Sequence, residues 1–174
     1  YPHEPAHPAL PVATGETGRR QYAADVLAAS GIAEAMAGID PGEPEEEFAL
    51  LEDSFAAWSY TLRYHVPEYA RWLDGQDGAF AYGVHRRTMQ HLSWQRGTRL
   101  GAVPRQWLLK MPFHLAELET LVATYPDAIF IQTHREPGEV MPSWLSLTEA
   151  VRALTAEPGD PAAIGAEQLD FMSR

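Results

Sequence analysis

The sequence predicts an α/β fold, built as a strand–helix–strand–helix unit behind a helical N-terminal part. Residues 107–110 and 128–133 are short apolar runs of strand length, and the second is β-branched and aromatic. Between them, Phe113 to Thr124 places Leu115, Leu118, Leu121 and Val122 at helical spacing. Upstream, residues 19–97 read as helices joined by turns.

Residues 1–18, rich in Pro, Gly and Thr, read as an extended surface segment. Arg19 to Gly38 gives a first helix, with Val26, Leu27, Ile32 and Met36 as its apolar positions. Asp40-Pro41-Gly42-Glu43-Pro44 is a turn. The acidic run Glu45, Glu46 and Glu47 suits the positive end of a helix dipole, and is read as helix-start charge, not as catalytic carboxylates. That helix is expected over about 45–64, because Phe48, Leu51, Phe55, Trp58 and Leu62 form one apolar stripe. Pro67 should end it. A short helical turn from Glu68 to Leu73, a break at Gly75–Gly78 and a third helix from about Phe80 to Arg96 follow.

After Gly97 come the strand Trp107–Lys110, the helix Phe113–Thr124, the turn Tyr125-Pro126-Asp127 and the strand Ala128–Thr133. A helix opens near Glu136-Pro137, where proline at the first position is favourable, and runs to about Leu154. A last helix covers about Pro161 to Ser173. The short crossover implies a parallel sheet. Two strands are too few for such a sheet, so its other strands are expected from sequence beyond this one.

The 174 residues are enough for one domain, read as a single partial unit over 1–174, and 45% are hydrophobic. No stretch approaches the roughly 18 apolar residues of a membrane span. The first residues lack the apolar core of a signal peptide and an initiator Met, so the chain is expected to start within a longer product or after processing. The absence of cysteine removes disulfides, thiolate catalysis and Cys-ligated zinc, and fits a cytoplasmic setting. A net charge of −11 repels nucleic acid and anionic membranes, so neither is expected as a partner. An anionic ligand would need a local cluster of positive groups.

Two strand ends offer such groups. In Thr133-His134-Arg135-Glu136-Pro137, Arg135 leaves a strand just before a helix N-terminus, a place suited to an anion, and Ser143 lies eight residues further on. A forked guanidinium and a hydroxyl suit a phosphate. Equally, Arg135 could pair with Glu136 or Glu139, leaving Ser143 on the helix surface. At the other end, Lys110 could neutralise a leaving group and His114 could accept a proton from an attacking hydroxyl. The plainer alternative has Lys110 reaching to water and His114 packing at the helix start. His85, Arg86, Arg87 and His91 could line a groove, but such a patch is more often a solvated helix face. No metal-ligand spacing and no phosphate-binding loop of the Gly-x-x-x-x-Gly-Lys-Ser/Thr type is present.

Together these junctions carry a resemblance. The runs Trp107-Leu108-Leu109-Lys110-Met111-Pro112-Phe113-His114-Leu115, Tyr125 to Pro137 and Val140-Met141-Pro142-Ser143 resemble bacterial sulfotransferases that use 3′-phosphoadenosine 5′-phosphosulfate (PAPS). The resemblance is strong over about 107–150 and looser over 45–62 and Tyr82 to Trp94. It implies a P-loop-NTPase-like sulfotransferase fold, a parallel sheet flanked by helices and incomplete here. It also implies Arg135 and Ser143 on the donor's 3′-phosphate, His114 as base, Lys110 on the leaving group, and a small-molecule hydroxyl acceptor. A homodimer is allowed for. Met111 stands where many relatives have Ser. The phosphosulfate loop and the segment that closes over the adenine are not found, so the chain by itself need not turn over. The rival readings are another nucleotide-dependent transferase, and a non-catalytic fragment that binds a nucleotide or a partner.

Overall fold

A computed structural model describes residues 46–100, 106–154 and 159–173, together with Gly18, Gln21, Ala24 and Asp25; of 98–100 it describes the backbone alone. The expected turn at 40–44 and almost all of the extended segment lie outside the described residues. Of the expected helix from Arg19 to Gly38, Gln21, Ala24 and Asp25 are described, and they are helical.

The single helix expected over 45–64 is instead two short ones, α1 (Phe48–Glu52) and α2 (Ser59–Arg63). Ser54 explains the break. Its hydroxyl donates to the Leu51 carbonyl at 2.6 Å and accepts the Ala56 N–H at 3.0 Å, competing with the helical ladder. Phe55 then turns left-handed, with φ of 56°. The Tyr69 hydroxyl accepts the Ala57 N–H at 2.8 Å and faces the Phe55 and Ala57 carbonyls, so the backbone groups freed by the break find a partner. Glu52 ties the two helices, accepting from Ser59 at 2.6 Å and Arg63 at 2.9 Å. The predicted stripe survives except at its centre: Leu51 and Trp58 are buried, whereas Phe55 is 77% exposed.

Pro67 starts a helix where it was expected to end one: α3 spans Pro67–Asp74 with proline in its first turn. Next comes α4 (Ala79–Leu100). A 3₁₀ helix (Pro112–Glu117) leads into α5 (Leu118–Thr124), so the expected helix from Phe113 is present with a tighter first half. The turn after Tyr125 forms, its carbonyl accepting from the Ala128 N–H at 3.1 Å. Then α6 (Pro137–Ala153) and α7 (Pro161–Met172) follow, close to the expected bounds. Among the described residues no helix is long and apolar enough to cross a membrane.

The expected strands at 107–110 and 128–133 are not formed: among the described residues there is no strand. The physical reason is that a strand exists only by pairing, and among the described residues neither segment has a neighbouring backbone ladder. Their apolar side chains stand in water, Leu108 at 93% exposed and Ile131 at 85%.

The core lies among the helices. Leu51, Trp58, Leu73, Tyr82, Met111 and Phe113 are its centre. Two packing devices join α6 to it. Arg152, buried in α6, donates to the Thr61 carbonyl at 2.6 Å and forms a fork onto Glu167 of α7 at 2.6 and 3.0 Å. Phe113 meets Trp144 of α6 edge-on, with ring centres 5.7 Å apart.

The left-handed Phe55 gives a direct test. A left-handed non-glycine residue costs roughly 1–2 kcal/mol, against roughly 0.5–1 kcal/mol for the extra freedom glycine gives the unfolded chain. With its ring mostly in water, Phe55→Gly is expected to raise stability by about 0.5 kcal/mol in urea unfolding. A loss would mean that the phenyl ring contributes more than the backbone costs.

Candidate functional site

Lys110 and His114 are placed by the segment that enters the 3₁₀ helix. Met111 is extended and buried, and Pro112 fixes the entry to the helix. Phe113 is driven into the core against Trp144 and Phe171. That leaves His114 half-buried, between Glu47 and Tyr82. Its Nε2 lies 2.6 Å from Glu47 Oε1, and its Nδ1 lies 2.7 Å from the Tyr82 hydroxyl. The other Glu47 oxygen accepts the backbone N–H of Lys110 at 2.7 Å. The Lys110 ammonium, exposed, pairs with Glu46.

Electrostatics agree with this geometry. Burial works to raise the Glu47 carboxyl, but its hydrogen bonds with His114 and the Lys110 N–H hold it below its ordinary value. Burial, with the charges of Glu117 and Glu47, pushes the Tyr82 phenol well above its ordinary range. Tyr82 therefore keeps its proton, and Glu47 keeps its charge.

A second buried pair lies beside the first. His85, wholly buried in α4, has Nδ1 2.7 Å from the Tyr125 hydroxyl, while its Nε2 has no partner among the described residues. Its ring meets that of His114 edge-on at 6.5 Å. Burial lowers its pKa to about 4, so it is neutral at pH 7. Burial likewise pushes the Tyr125 phenol up to about 12. The solvated face expected for His85, Arg86 and Arg87 holds for the two arginines, which are exposed, and fails for His85.

Arg135 and Ser143 bracket the first turns of α6. Arg135 pairs with Glu139 across one helical turn, at 3.4 Å with both side chains mostly exposed, and Ser143 is exposed. Among the described residues no hydrogen bond or ion pair joins Arg135 and Ser143 to Lys110 and His114. What relates the two junctions is the ring contact of Phe113, next to His114, with Trp144, next to Ser143.

Beside Tyr82 lies a small pocket of about 20 Å³, enough for a water-sized group, lined also by Trp58, Gly78, Met111, Phe113 and Glu117. Glu117 accepts from the Trp58 indole N–H at 3.1 Å. Burial, then the charges of Asp77 and Asp74, raises its carboxyl against the pull of Trp58. Gly78 is required beside it: its φ is +66°, and a Cβ there would lie 2.5 Å from the Glu117 carboxylate. Among the described residues no group of three or more His, Asp or Glu could hold a metal ion.

Sequence reasoning missed Glu47, Tyr82 and Glu117. The acidic run next to an apolar stripe was the available signal for Glu47, and it was read as helix-start charge. Nothing local marks Tyr82 or Glu117, whose partners are distant in sequence.

The residues that the sulfotransferase resemblance implies, Lys110 and His114 on one side and Arg135 and Ser143 on the other, thus fall near two separate helix starts. The model of that family, the sulfotransferase family, matches residues 2–174, and the chain belongs to it. Among solved structures it is similar to the crystal structure of sulfotransferase STF1 from Mycobacterium tuberculosis, at 34% identity and a TM-score of 0.75. The match covers 90% of this chain and 42% of that one, so the chain spans less than half the length of that sulfotransferase. No curated protein matches it.

The buried His85 makes stability depend on pH. Its folded pKa of about 4 lies below the ordinary 6.5. The stability tied to keeping it neutral is therefore fully present above pH 6.5 and is lost as pH falls toward 4, at about 1.4 kcal/mol per pH unit. Glu47, also lowered, adds a loss in the same direction only below its ordinary value of 4.5. His85→Phe is expected to flatten the fall between pH 6.5 and 4.5 in urea unfolding. An equal slope in both proteins would place the titrating group elsewhere.

Proposed function

We propose that this chain carries the donor-binding and proton-accepting part of a sulfotransferase that moves a sulfuryl group from PAPS to a hydroxyl of a small molecule. The observation that supports it most is the gathering of Lys110 and His114 on the Glu46–Glu47 pair, on the same core that seats the start of α6. Arg135 and Ser143 hold the 3′-phosphate, Lys110 offsets negative charge that develops on the leaving phosphate, and His114 accepts the acceptor's proton. PAPS, when bound, supplies the activated sulfuryl group. The setting in this reading is cytoplasmic. A net charge of −11 favours a small acceptor over nucleic acid or an anionic membrane.

The cations fit a phosphate-bearing donor. Each is exposed, and among the described residues each has a carboxylate partner, Glu139 for Arg135 and Glu46 for Lys110. Exposed pairs of this kind are worth about 0–1 kcal/mol, whereas a guanidinium fork onto phosphate is worth roughly 2–4 kcal/mol. The phosphate therefore displaces the carboxylate.

A second reading, a nucleotide- or partner-binding segment without catalysis, is favoured by one fact: both ring nitrogens of His114 already have partners.

Titration calorimetry separates the donor site from the chemistry. 3′-Phosphoadenosine 5′-phosphate is expected to bind better than AMP, and Arg135→Ala to cost roughly 2–4 kcal/mol of that binding. Equal affinity for the two nucleotides would remove the 3′-phosphate assignment. For the chemistry, His114→Ala is expected to slow transfer by roughly 10²–10⁴-fold per folded molecule, with nucleotide affinity nearly unchanged. If thermal stability falls and the rate does not, His114 is a packing residue and the second reading stands.

A further inference from the structure

His114 is enclosed by groups whose donor and acceptor roles are fixed. A carboxylate held ionised can only accept, so His114 Nε2 carries the ring proton toward Glu47. The neutral imidazole then has its lone pair on Nδ1, where it accepts from the Tyr82 hydroxyl at 2.7 Å. Tyr82 keeps the proton it donates, because burial and nearby carboxylates oppose its ionisation. Tyr82 also lines the small pocket, which His114 does not. A hydroxyl in that pocket therefore has Tyr82, and not His114, in its wall.

The geometry points to Glu47 as the positioning residue that fixes the tautomer of His114, and to Tyr82 as the group through which the acceptor's proton reaches Nδ1. This rests on the sulfuryl-transfer reading above. In the step, the acceptor oxygen forms a bond to sulfur, and the bond from sulfur to the phosphate oxygen breaks, with its electron pair staying on the phosphate. The acceptor's proton passes to the Tyr82 oxygen as the phenolic proton passes to His114 Nδ1. The phenol is thus unchanged, and the imidazolium that forms lies against the Glu47 carboxylate. His114 need not leave either partner, which removes the objection that both its nitrogens are engaged.

Glu47 is specific to this task because each oxygen has its own donor: Oε1 faces His114 Nε2 and Oε2 faces the Lys110 N–H. A carboxamide has one oxygen for those two donors. If it stays on Lys110, its amide N–H points at Nε2 and favours the opposite tautomer. The other ionisable groups around the centre are Glu46, His85, Glu117 and Tyr125. None of them has a hydrogen bond to the His114 ring.

Nitrogen NMR of the full chain with labelled histidine tests this without any substrate. In the wild type the Nε2–H form of neutral His114 is expected to exceed the Nδ1–H form by about tenfold or more, a bias of about 1.4 kcal/mol. Glu47→Gln should bring the two forms within about threefold or reverse them. Tyr82→Phe should keep the bias and move the Nδ1 resonance as its hydrogen bond is lost. A wild type with the proton on Nδ1, or an unchanged ratio in Glu47→Gln, overturns the role of Glu47. If Glu47→Gln does not fold, the wild-type ratio alone decides. An Nδ1 resonance that does not move in Tyr82→Phe overturns the relay.

Rates separate this proposal from the one it rests on. With PAPS and a simple phenol as probe acceptor, Tyr82→Phe should lower kcat by about tenfold or more and leave KM for PAPS nearly unchanged. An active wild type with an equally active Tyr82→Phe sinks the relay. When these rates are measured on the complete enzyme, a wild type that transfers nothing sinks the sulfuryl-transfer reading, while the NMR result stands by itself.

Discussion

The Glu47 carboxylate joins two parts of the chain that lie far apart in sequence. One oxygen takes the Lys110 N–H and the other faces His114. It is 6% exposed, and a buried carboxylate is tolerable only when its charge is met by such donors. Once it is fixed, much of the rest follows. The segment before the 3₁₀ helix is anchored, Met111 and Phe113 enter the core, and His114 is turned toward Tyr82. Phe113 then meets Trp144, which brings the start of α6 onto the same core.

Polar satisfaction within an apolar core recurs across the molecule. Tyr69 serves the break between α1 and α2, Arg152 serves the end of α2, and Gln168 accepts from the Trp144 indole at 2.6 Å. In each case a long side chain from one helix reaches the backbone or ring of another. This is how short helices, marginal by propensity alone, hold a defined arrangement. Among the described residues His85 Nε2 is a buried side-chain atom without a hydrogen-bond partner, and its ring lies against that of His114 on the proposed proton path.

Helices with strong local signals were legible in the sequence. The start of α6 at Pro137 follows from proline chemistry, and α7 begins at Pro161 with Asp160 accepting the Ala162 N–H at 3.1 Å. The break at Ser54–Phe55 was not legible, because the apolar stripe continues through it and only the hydroxyl of Ser54 diverts the ladder. The strand runs were read from side-chain type, which states a preference for pairing and not the presence of a partner. At the site, residue types at the two junctions identified Lys110, His114, Arg135 and Ser143 as candidates. Their surroundings, with Glu47 and Tyr82 on His114 and Glu139 on Arg135, depend on the folded arrangement. Of these only the pairing of Arg135 with Glu139, four residues on at the start of α6, could be anticipated from spacing.

The contacts that build the His114 centre are all long in sequence. Tyr82 and His114 are 32 residues apart, His85 and Tyr125 are 40, and Glu47 lies 63 from Lys110 and 67 from His114. Local helices form within about a microsecond, but each of these pairings must first offset the entropy of closing a loop. The centre therefore cannot be nucleated by any one helix. It arrives with the global transition, so imidazole, carboxylate and phenol come into register together, and an early collapsed chain has helices without this centre.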